Sequence, residues 1–377
     1  MDLTHPDLAH PDIAHPDIAH PDIAHLDIAR VRAGALDPAR IVTFIDEVLE
    51  FDARENAASG LGPDFDPLPS RVRQEFLTAT EYTTREFWVG RLGGEIVARG
   101  IAHLSLHDNV DQAEIWLAVD PRLRRCGLGT ALLERMEADL AADGRTQLRS
   151  FNEIAVAACA SERRSPHLAA ASGAGSLPAA LPAVEFLSRR GFALQQVERC
   201  SRAETAVATQ IDIGRLAAAY AVVTWTGATP EEHLDGMADL HQRMSTDAPG
   251  AAELMEEETW DADRVRQLDA ERIGAGETMH TALALCGREA VGFTEVSEPT
   301  DRTEAGWQGA TLVAAEHRGH RLGAHLKIAN HRALAQRSAV RRVYTWNAVE
   351  NSWMLAINGL AGFVTHAWTG LWTKRLA

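Results

Sequence analysis

The chain has 377 residues, of which 46% are hydrophobic and 24% are charged, and its formal net charge is −16. This length suits two domains better than one core, and the composition is ordinary for a globular protein. The negative charge argues against a nucleic-acid partner, and no apolar run reaches the roughly 20 residues needed to span a bilayer.

The start of the chain is repetitive, with five near-identical pentapeptides at residues 5–29. A proline in each of the first four blocks a continuous helix, and so few pentapeptides cannot build a stacked β-helix. We therefore expect residues 1–29 to form a disordered tail, whose histidines lack the fixed geometry of a metal site. The tail has no leader pattern of basic and then apolar residues, so we expect a cytoplasmic protein.

The first half alternates predicted strands and helices. Residues 28–32 predict a strand, and Asp37-Pro38 begins a predicted helix that carries apolar residues at helical spacing from Ile41 to Leu49. Residues 87–92 and 96–102, joined by two glycines, predict a β-hairpin. We place this domain at residues 30–207.

A glycine-containing phrase occurs twice, at residues 119–130 and 313–324. Each copy follows an apolar run that predicts a strand and precedes a periodic segment that predicts a helix. The amides and dipole of a helix's first turn attract an anion, and glycine lets the backbone approach a phosphate closely. Both phrases therefore predict a turn that cradles a pyrophosphate.

The second half repeats the order of elements of the first. Residues 220–225 predict a strand, Thr229 is the expected N-cap of the next helix, and residues 283–285 and 290–293 predict a hairpin. We place this domain at residues 208–377, with the join near residues 202–213.

The first phrase, Arg124-x-x-Gly127-x-Gly129, resembles the signature of the GNAT superfamily of acyl-CoA-dependent N-acetyltransferases. A helix that ends in Gly-Phe, at residues 191–192 and again at 362–363, resembles a second signature of that family. The resemblance implies an α/β fold of two tandem GNAT domains, each a splayed mixed β-sheet flanked by helices. It also implies acetyl-CoA as co-substrate, held in the opening of the sheet.

The resemblance further implies which residues bind the coenzyme. In the first half they are Leu117, Ala118, Val119, Arg124, Arg125, Cys126, Gly127, Leu128, Gly129 and Thr130. In the second half they are Val313, Arg318, Gly319, His320, Arg321, Gly323, Ala324 and Asn351, the last of which either caps a helix or contacts pantetheine. Arg321 departs from the pattern by standing where the first phrase has Gly127, and it is compatible with anion binding if its φ is negative.

Direct attack by an amine needs a base for the ammonium and an acid for the departing thiolate. Our preferred base is Glu114, on the strand that enters the first turn, and His103 and His107 are alternatives near neutral pH. The weaker candidates in the second half are Glu295, Glu298 and His366. Many family members place a tyrosine as the acid four residues before the glycine of Gly-Phe, whereas this chain has Leu187 and Asn358 there.

The first half is longer than the second between its two signatures. Arg124 and Arg318 are 194 residues apart but Phe192 and Phe363 only 171, so the first half has 23 extra residues. The surplus lies in residues 155–183, which are rich in small residues and have little apolar bulk to offset ordering entropy. We expect a mobile loop there, either without function or serving as a lid over the acceptor site.

The resemblance and the acidity together predict transfer of an acetyl group from acetyl-CoA to a primary amine of a small, cationic metabolite or antibiotic. Two alternatives stay open: acetylation of protein lysines or amino termini, and non-catalytic binding of acyl-CoA by a scaffold. The sequence does not decide which half is active. The four cysteines lie far apart, so we expect no metal, and we expect a monomer or homodimer whose partner is a small-molecule amine.

Overall fold

The computed structural model describes residues 23–35, 38–77, 80–208, 210–247, 257–301 and 304–376. Most of the repetitive tail, and Asp37 at the predicted helix start, lie outside these residues. Residues 23–25 form a helical turn, and the first strand, β1, is Asp27–Arg32. Regular structure therefore begins before residue 29, inside the segment expected to be a disordered tail.

The first half has the predicted order of strand, helix, hairpin, strand, turn and helix. Its further strands are β2 (Thr83–Leu92), β3 (Glu95–Ser105), β4 (Gln112–Val119), β5 (Gln147–Ala155), β6 (His167–Ala169), β7 (Ser176–Pro178) and β8 (Ala193–Glu204). Its helices are α1 (Pro38–Ser59), α2 (Pro69–Leu77), α3 (Leu128–Ala142), α4 (Val156–Ser161), α5 (Pro182–Arg189) and α6 (Thr205–Ala208). The predicted helical spacing in α1 is confirmed, since Ile41, Ile45 and Val48 are all buried.

The second half repeats this order. Its strands are β9 (Tyr220–Thr226), β10 (Glu277–Cys286), β11 (Glu289–Pro299), β12 (Ala305–Val313), β13 (Arg342–Ala348) and β14 (Val364–Arg375). Its helices are α7 (Leu234–Asp247), α8 (Ala262–Gly274), α9 (Leu322–Arg337) and α10 (Ser352–Leu360). The cap expected at Thr229 is wrong, because Pro230 precedes the helical turn Glu231–His233 without a side-chain cap and the Thr229 amide donates to Asp269 Oδ2 at 2.8 Å.

Within the described residues, twelve strands form one sheet in the order β1-β2-β3-β4-β5-β14-β8-β13-β12-β11-β10-β9. The last strand of each half lies beside the fifth strand of the other, since β14 pairs with β5 and β8 pairs with β13. β8 and β14 also pair with each other, with Glu198 opposite Thr369. These residues are 171 apart, like the closing phenylalanines, so a pseudo-two-fold axis passes between them. Each half of the sheet is completed by the other half, and the predicted domain boundaries stay a prediction.

Helices cover both faces of the sheet. We call the side on which α1, α2, α7 and α8 lie the front face, and the side of α3, α5 and α9 the back face. The front-face core of the first half contains Phe51, Phe76 and Phe87, and its back-face core contains Leu133 and Met136. Among the described residues, no helix is long and apolar enough to cross a membrane.

The sheet opens at the fourth strand of each half, which confirms the expected splayed sheet. β4 and β5 pair in parallel only as far as Ile115 and Ser150, so residues 116–119 of β4 have an unpaired edge on the β5 side. β12 and β13 likewise pair only as far as Trp307 and Tyr344. In each half, the unpaired end of the fourth strand leads directly into one of the two glycine-containing turns.

The segment 155–183 contains α4 and the β6–β7 hairpin, and is not the loop that its composition led us to expect. Ala170 and Leu177 are buried in the back-face core. Its small residues serve close packing, because a Cβ on Gly175 would lie 2.8 Å from Val349 Cγ2 and 2.9 Å from Val197 Cβ. Since the segment packs on the back face, it does not form a lid over the front face.

Candidate functional site

The two glycine-containing turns share one backbone conformation. Arg125 (φ 67°) and Gly127 (φ 89°) are left-handed in the first turn, as are the equivalent Gly319 (φ 86°) and Arg321 (φ 58°) in the second. The condition of a negative φ at Arg321 is therefore not met, and an arginine occupies a region that favours glycine. Left-handed residues within a turn bring successive amides to one side, which makes a concavity for an anion.

Each turn leads into a helix whose first amides have no acceptor within the helix. In α3 the first amide that is bonded in the helical pattern is that of Ala131, which donates to Gly127 O at 3.0 Å. In α9 the first is that of Ala324, one position earlier in the aligned phrase, which donates to Arg321 O at 3.0 Å. Both helix ends suit a phosphate, and the first has one more free donor.

The second glycine of each phrase faces the end of the neighbouring strand. A Cβ on Gly129 would lie 3.4 Å from Val119 Cγ2 and 3.5 Å from Phe186 Cε2 of α5. At Gly323 the corresponding atoms, on β12 and α10, are 3.9 and 3.8 Å away. Any side chain at these positions would project between the strand end and the facing helix, close to the amides that suit a pyrophosphate.

The arginines of the first turn pair with carboxylates from two helices. Arg124 Nη2 lies 3.2 Å from Glu55 Oε1 of α1, and Arg125 Nη1 lies 2.8 Å from Glu185 Oε2 of α5. The hydrogen bond from Arg125 holds the pKa of Glu185 below its usual range. Both arginines are exposed, so they can exchange a carboxylate for a phosphate.

The fold brings most of the predicted coenzyme residues of each half together. In the first half, the end of β4 (Leu117, Ala118 and Val119) is followed at once by Arg124, Arg125, Cys126, Gly127, Leu128, Gly129 and Thr130 of the turn and α3. In the second half, the end of β12 (Val313) is followed by Arg318, Gly319, His320, Arg321, Gly323 and Ala324. Asn351 acts as a cap, because its Oδ1 accepts from the Met354 amide of α10 at 3.1 Å. The roles of these residues as ligands stay predictions.

Glu114 lies opposite His103 of β3 and beside Arg149 of β5. All three line a cavity of about 280 Å³. Glu258 and Glu271 of the second half also line it, so the cavity lies at the seam between the halves. Glu114 is thus a half-buried carboxylate two residues from the unpaired end of β4, which is a suitable place for the predicted base.

His103 is unsuited to act as that base. Its Nε2 accepts a hydrogen bond from Arg85 Nε at 3.2 Å. Burial, reinforced by the charge of Arg85 and of two further arginines, lowers the pKa of His103 to about 3. His107 is exposed and contacts the ring of Tyr82, with ring centroids 5.0 Å apart. Glu114 is therefore the better candidate of the three.

A group of polar side chains that no sequence pattern indicated lies at the centre of the front face. Glu153 of β5 and Glu198 of β8 both lie opposite Thr369 of β14, and directly opposed residues of antiparallel strands share a face. Glu153 Oε1 accepts a hydrogen bond from Trp346 Nε1 at 3.1 Å. We call Glu153, Thr369 and Glu198 the central row.

The carboxylates of the central row ionise less readily than free ones. Burial, together with the charges of Glu350 and Glu153, raises the pKa of Glu198 to about 7. Burial also raises the pKa of Glu153, and the charge of Glu55 on α1 adds to this effect. A cation placed among these groups would favour their ionised forms and so lower both pKa values. The ionised carboxylates would in turn stabilise the bound cation.

The candidate bases of the second half are engaged in other contacts. Arg272 Nη1 lies 3.0 Å from Glu295 Oε1, and its charge holds the pKa of Glu295 below the usual range although burial opposes this. Glu298 Oε2 lies 2.8 Å from Nε2 of His280. His366 Nε2 donates to a backbone carbonyl at 2.9 Å. Glu295 lies beside Gly309 in the unpaired part of β12, but its carboxylate is held by Arg272. None of the three lines the cavity that Glu114 lines.

The connection between α1 and α2 covers the front of the second opening. Phe65 lies edge-on to Trp307 and Tyr344, with ring centroids 5.1 Å apart in both pairs. These two residues are the last pair of the β12–β13 ladder, so Phe65 lies where the opening begins. Asp64 fixes the connection, because its carboxylate accepts from Tyr344 Oη at 2.8 Å and pairs with Arg342 at 2.7 Å.

Neither position of the expected tyrosine offers an acid. Leu187 is buried and apolar. Asn358 accepts from Lys327 Nζ at 2.8 Å and donates to Asn347 Oδ1 at 2.5 Å. Both side chains are therefore committed to the interior of their own half.

One group of described residues brings possible metal ligands within 4.8 Å of one another: Glu289, Glu316 and His317. Both glutamates are exposed, and His317 Nδ1 is already 3.2 Å from the Tyr220 hydroxyl. Such a group does not argue for a bound ion. That no metal is needed stays a prediction.

Comparison with known proteins supports the family resemblance. Residues 83–192 match the family model of the acetyltransferase (GNAT) domain. No curated protein matches the sequence.

Several solved structures resemble the chain over most of its length. A tandem GNAT protein from the clavulanic acid biosynthesis pathway, solved without AcCoA, is 24% identical, with a TM-score of 0.70 over 93% of this chain and 99% of that one. A GCN5-related N-acetyltransferase from Sphaerobacter thermophilus is 15% identical, with a TM-score of 0.56 over 94% and 96%. The GCN5-related glucosamine N-acetyltransferase region of a fungal GH3 β-N-acetylglucosaminidase is 13% identical, with a TM-score of 0.58 over 92% and 38%. These likenesses confirm the expected fold, two GNAT domains in tandem.

Proposed function

We propose that this tandem GNAT protein is an acyl-CoA-dependent N-acetyltransferase whose first half moves an acetyl group from acetyl-CoA to a primary amine of a small, cationic molecule. One observation carries the proposal: the unpaired end of β4 lies between the 124–130 turn and the cavity beside Glu114. A pyrophosphate held at the turn would lead the thioester along the strand edge toward that cavity.

The reaction needs little more than these groups. The amine nitrogen attacks the thioester carbonyl carbon, and a backbone amide of residues 117–119 would stabilise the negative oxygen that forms. The carbon–sulfur bond then breaks, and the acetyl group stays on nitrogen. Glu114 would take the proton that the attacking ammonium must lose. The thiolate is a weak base, with a pKa of about 8.5 for a simple thiol, so water can protonate it where Leu187 replaces a tyrosine.

Charge and size support a small, cationic acceptor. The cavity is lined by Glu114 and by two carboxylates from the second half, Glu258 and Glu271, and the chain carries a net charge of −16. Acidic surroundings concentrate amines. A cavity of about 280 Å³ at the seam between two halves suits a metabolite better than a protein chain, which needs a long groove.

The second half is proposed to serve as a structural partner. Phe65 covers its opening from the front, and Glu295 and Glu298 are held by other side chains. Its role would be to supply β14 to the first half's sheet and two carboxylates to the cavity. The contacts of Phe65, Glu295 and Glu298 thus favour the non-catalytic scaffold alternative, but for the second half only.

The test uses the full chain with acetyl-CoA and a panel of amines, following thiol release and the acetylated product by mass spectrometry. We expect turnover on small amines and none on lysine-containing peptides. Faster turnover on peptides would favour the protein-acetylating alternative. Acetyl-CoA binding in calorimetry without turnover on any amine would favour a non-catalytic protein.

A further inference from the structure

The central row extends from the opening of the first half across the front face. Glu153 pairs with Thr369, and Thr369 pairs with Glu198. Because neighbouring strands are about 4.8 Å apart, the Cα atoms of the two glutamates lie on either side of that of Thr369, at a separation of roughly 10 Å. The row begins on β5, the strand that faces the unpaired end of β4.

Thr369 is the member of the row that the fold does not explain. It is 4% exposed, and its hydroxyl has no hydrogen-bond partner among the described residues. A buried hydroxyl left unpaired destabilises the folded chain. A threonine between two carboxylates is therefore suited to a ligand that forms hydrogen bonds with all three.

A second unpaired oxygen lies beside the row. Glu350 Oε1 accepts from Gln196 Nε2 at 2.7 Å, whereas Glu350 Oε2 is buried with no partner in the part of the chain that the structure describes. Gln196 lies two residues before Glu198 on β8, and the charge of Glu350 acts on Glu198. Thr369 and Glu350 each have an oxygen atom that lacks a hydrogen-bond partner among the described residues, and both residues neighbour Glu198.

We propose that the central row, together with Glu350, binds a distal ammonium group of the acceptor, which is therefore a linear diamine or polyamine. One amine would be acetylated at the unpaired end of β4, while the other stays protonated and donates to Glu198, Thr369 and Glu350. An ammonium has three donors and no acceptor, which matches three oxygen partners. The proposal rests on the N-acetyl transfer proposed above, and the distal amine forms no covalent bond.

The row is asymmetric between the halves. On β5 of the first half, Glu153 lies opposite Thr369; at the equivalent position on β13 of the second half, Ala348 lies opposite Glu198. The first opening therefore has a carboxylate of the row beside it, whereas the second opening has an alanine at that position. This agrees with a first half that binds a cationic acceptor and a second half that does not.

The experiment compares linear diamines of three to eight carbons with monoamines of the same length. For the wild-type chain we expect kcat/KM to be at least about tenfold higher for the best diamine, the effect of one charge-assisted contact of about 1.4 kcal/mol. Glu198→Gln should remove this preference by raising KM for the diamine, while the monoamine is unaffected. Thr369→Val, which keeps the side-chain shape, should reduce the preference as well.

The matched control is Glu204→Gln, which removes the same charge from an exposed position of the same strand and should leave the preference unchanged. If Glu198→Gln leaves the diamine preference intact, or lowers kcat/KM equally for the diamine and the monoamine, the proposed subsite is wrong while the proposed N-acetyl transfer is retained. If no amine is turned over, calorimetry with a diamine decides: binding that depends on Glu198 retains the subsite while the proposed reaction fails, and binding that does not depend on Glu198 overturns the subsite too.

Discussion

Lys327 Nζ of α9 donates a 2.8 Å hydrogen bond to Asn358 Oδ1 of α10, at the two positions that Leu133 and Leu187 occupy in the first half. The equivalence follows from the spacings of 194 and 171 residues between the halves. Lys327 is 1% exposed, and burial lowers its pKa to about 7. The second half therefore carries a buried polar pair where the first half has two packed aliphatic side chains.

Replacing this pair by the first half's residues, Lys327→Leu with Asn358→Leu, should stabilise the protein. Exchange of a buried polar or ionic pair for packed apolar groups often adds about 1–4 kcal/mol. Because the pKa of Lys327 is lowered on folding, the unfolded chain binds more protons between pH 7 and 10.5, and wild-type stability should rise with pH over that range. Urea unfolding at pH 7 and pH 9.5 measures both effects.

The single variant Lys327→Leu is the control for this exchange, since it leaves Asn358 without its donor and should gain less. A double variant that is less stable than wild type at pH 7, and that retains the same pH slope, would show that the polar pair is required.

His103 should make the first half sensitive to acid. Its pKa falls to about 3 on folding, below the value of about 6.5 in the unfolded chain. The unfolded chain therefore takes up the proton first as pH falls from 6.5, and stability is lost below that pH by up to about 2 kcal/mol at pH 5. His103→Gln, which can still accept from Arg85, should be less destabilised between pH 7 and pH 5 in chemical unfolding. An unchanged loss would mean that other groups cause it.

The two glycine-containing turns can be tested separately. Gly129→Glu would place a carboxylate between Val119 and Phe186, where it clashes and repels a pyrophosphate. We expect acetyl-CoA affinity in calorimetry to fall by about a hundredfold or more, with loss of turnover. Gly323→Glu is the matched change in the second turn and should leave turnover within about twofold, an effect below 0.5 kcal/mol. The opposite result would move the active site to the second half.

The fold was predictable where its signals are local. Strand, turn and helix around both glycine phrases follow from periodicity within a few residues, and the repeat of this order predicted the two halves. The exchange of β8 and β14 was not predictable, because Glu198 and Thr369 are 171 residues apart and the pattern within each strand is the same whichever neighbour it has.

The candidate site, likewise, could be predicted from the sequence only where its signals are local. Glu114 was found because it lies on the strand that enters the first turn. The central row was missed because its three members come from three strands, and only the exchanged order of β14 and β8 places them in register. Residues 155–183 were misjudged for a related reason, since small residues that permit close packing, such as Gly175, have the same composition as a loop.

Phe65 tests the role of the connection over the second opening. Phe65→Ala removes its contacts with Trp307 and Tyr344 and should lower the free energy of unfolding by about 2–3 kcal/mol, less than for a fully buried phenylalanine. Turnover by the first half should stay the same per folded molecule. Phe65→Leu, which retains apolar volume, should lose less stability. A fall in kcat without a change in melting temperature would instead make the connection part of the active site.

Glu114→Gln tests the proposed base. The amide has the shape of the carboxylate but cannot take the proton of the attacking ammonium, so kcat should fall by about 10²–10⁴, while KM for acetyl-CoA stays the same because the turn at residues 124–130 is untouched. Raising the pH increases the fraction of free amine, and the variant should therefore recover part of its rate at high pH more steeply than wild type. Arg149, which lies beside Glu114 in the cavity, gives a comparison, since Arg149→Gln removes a charge but no base and should not produce that pH-dependent recovery. A Glu114→Gln variant with wild-type kcat across the pH range would exclude Glu114 and direct the search to water or to Glu153.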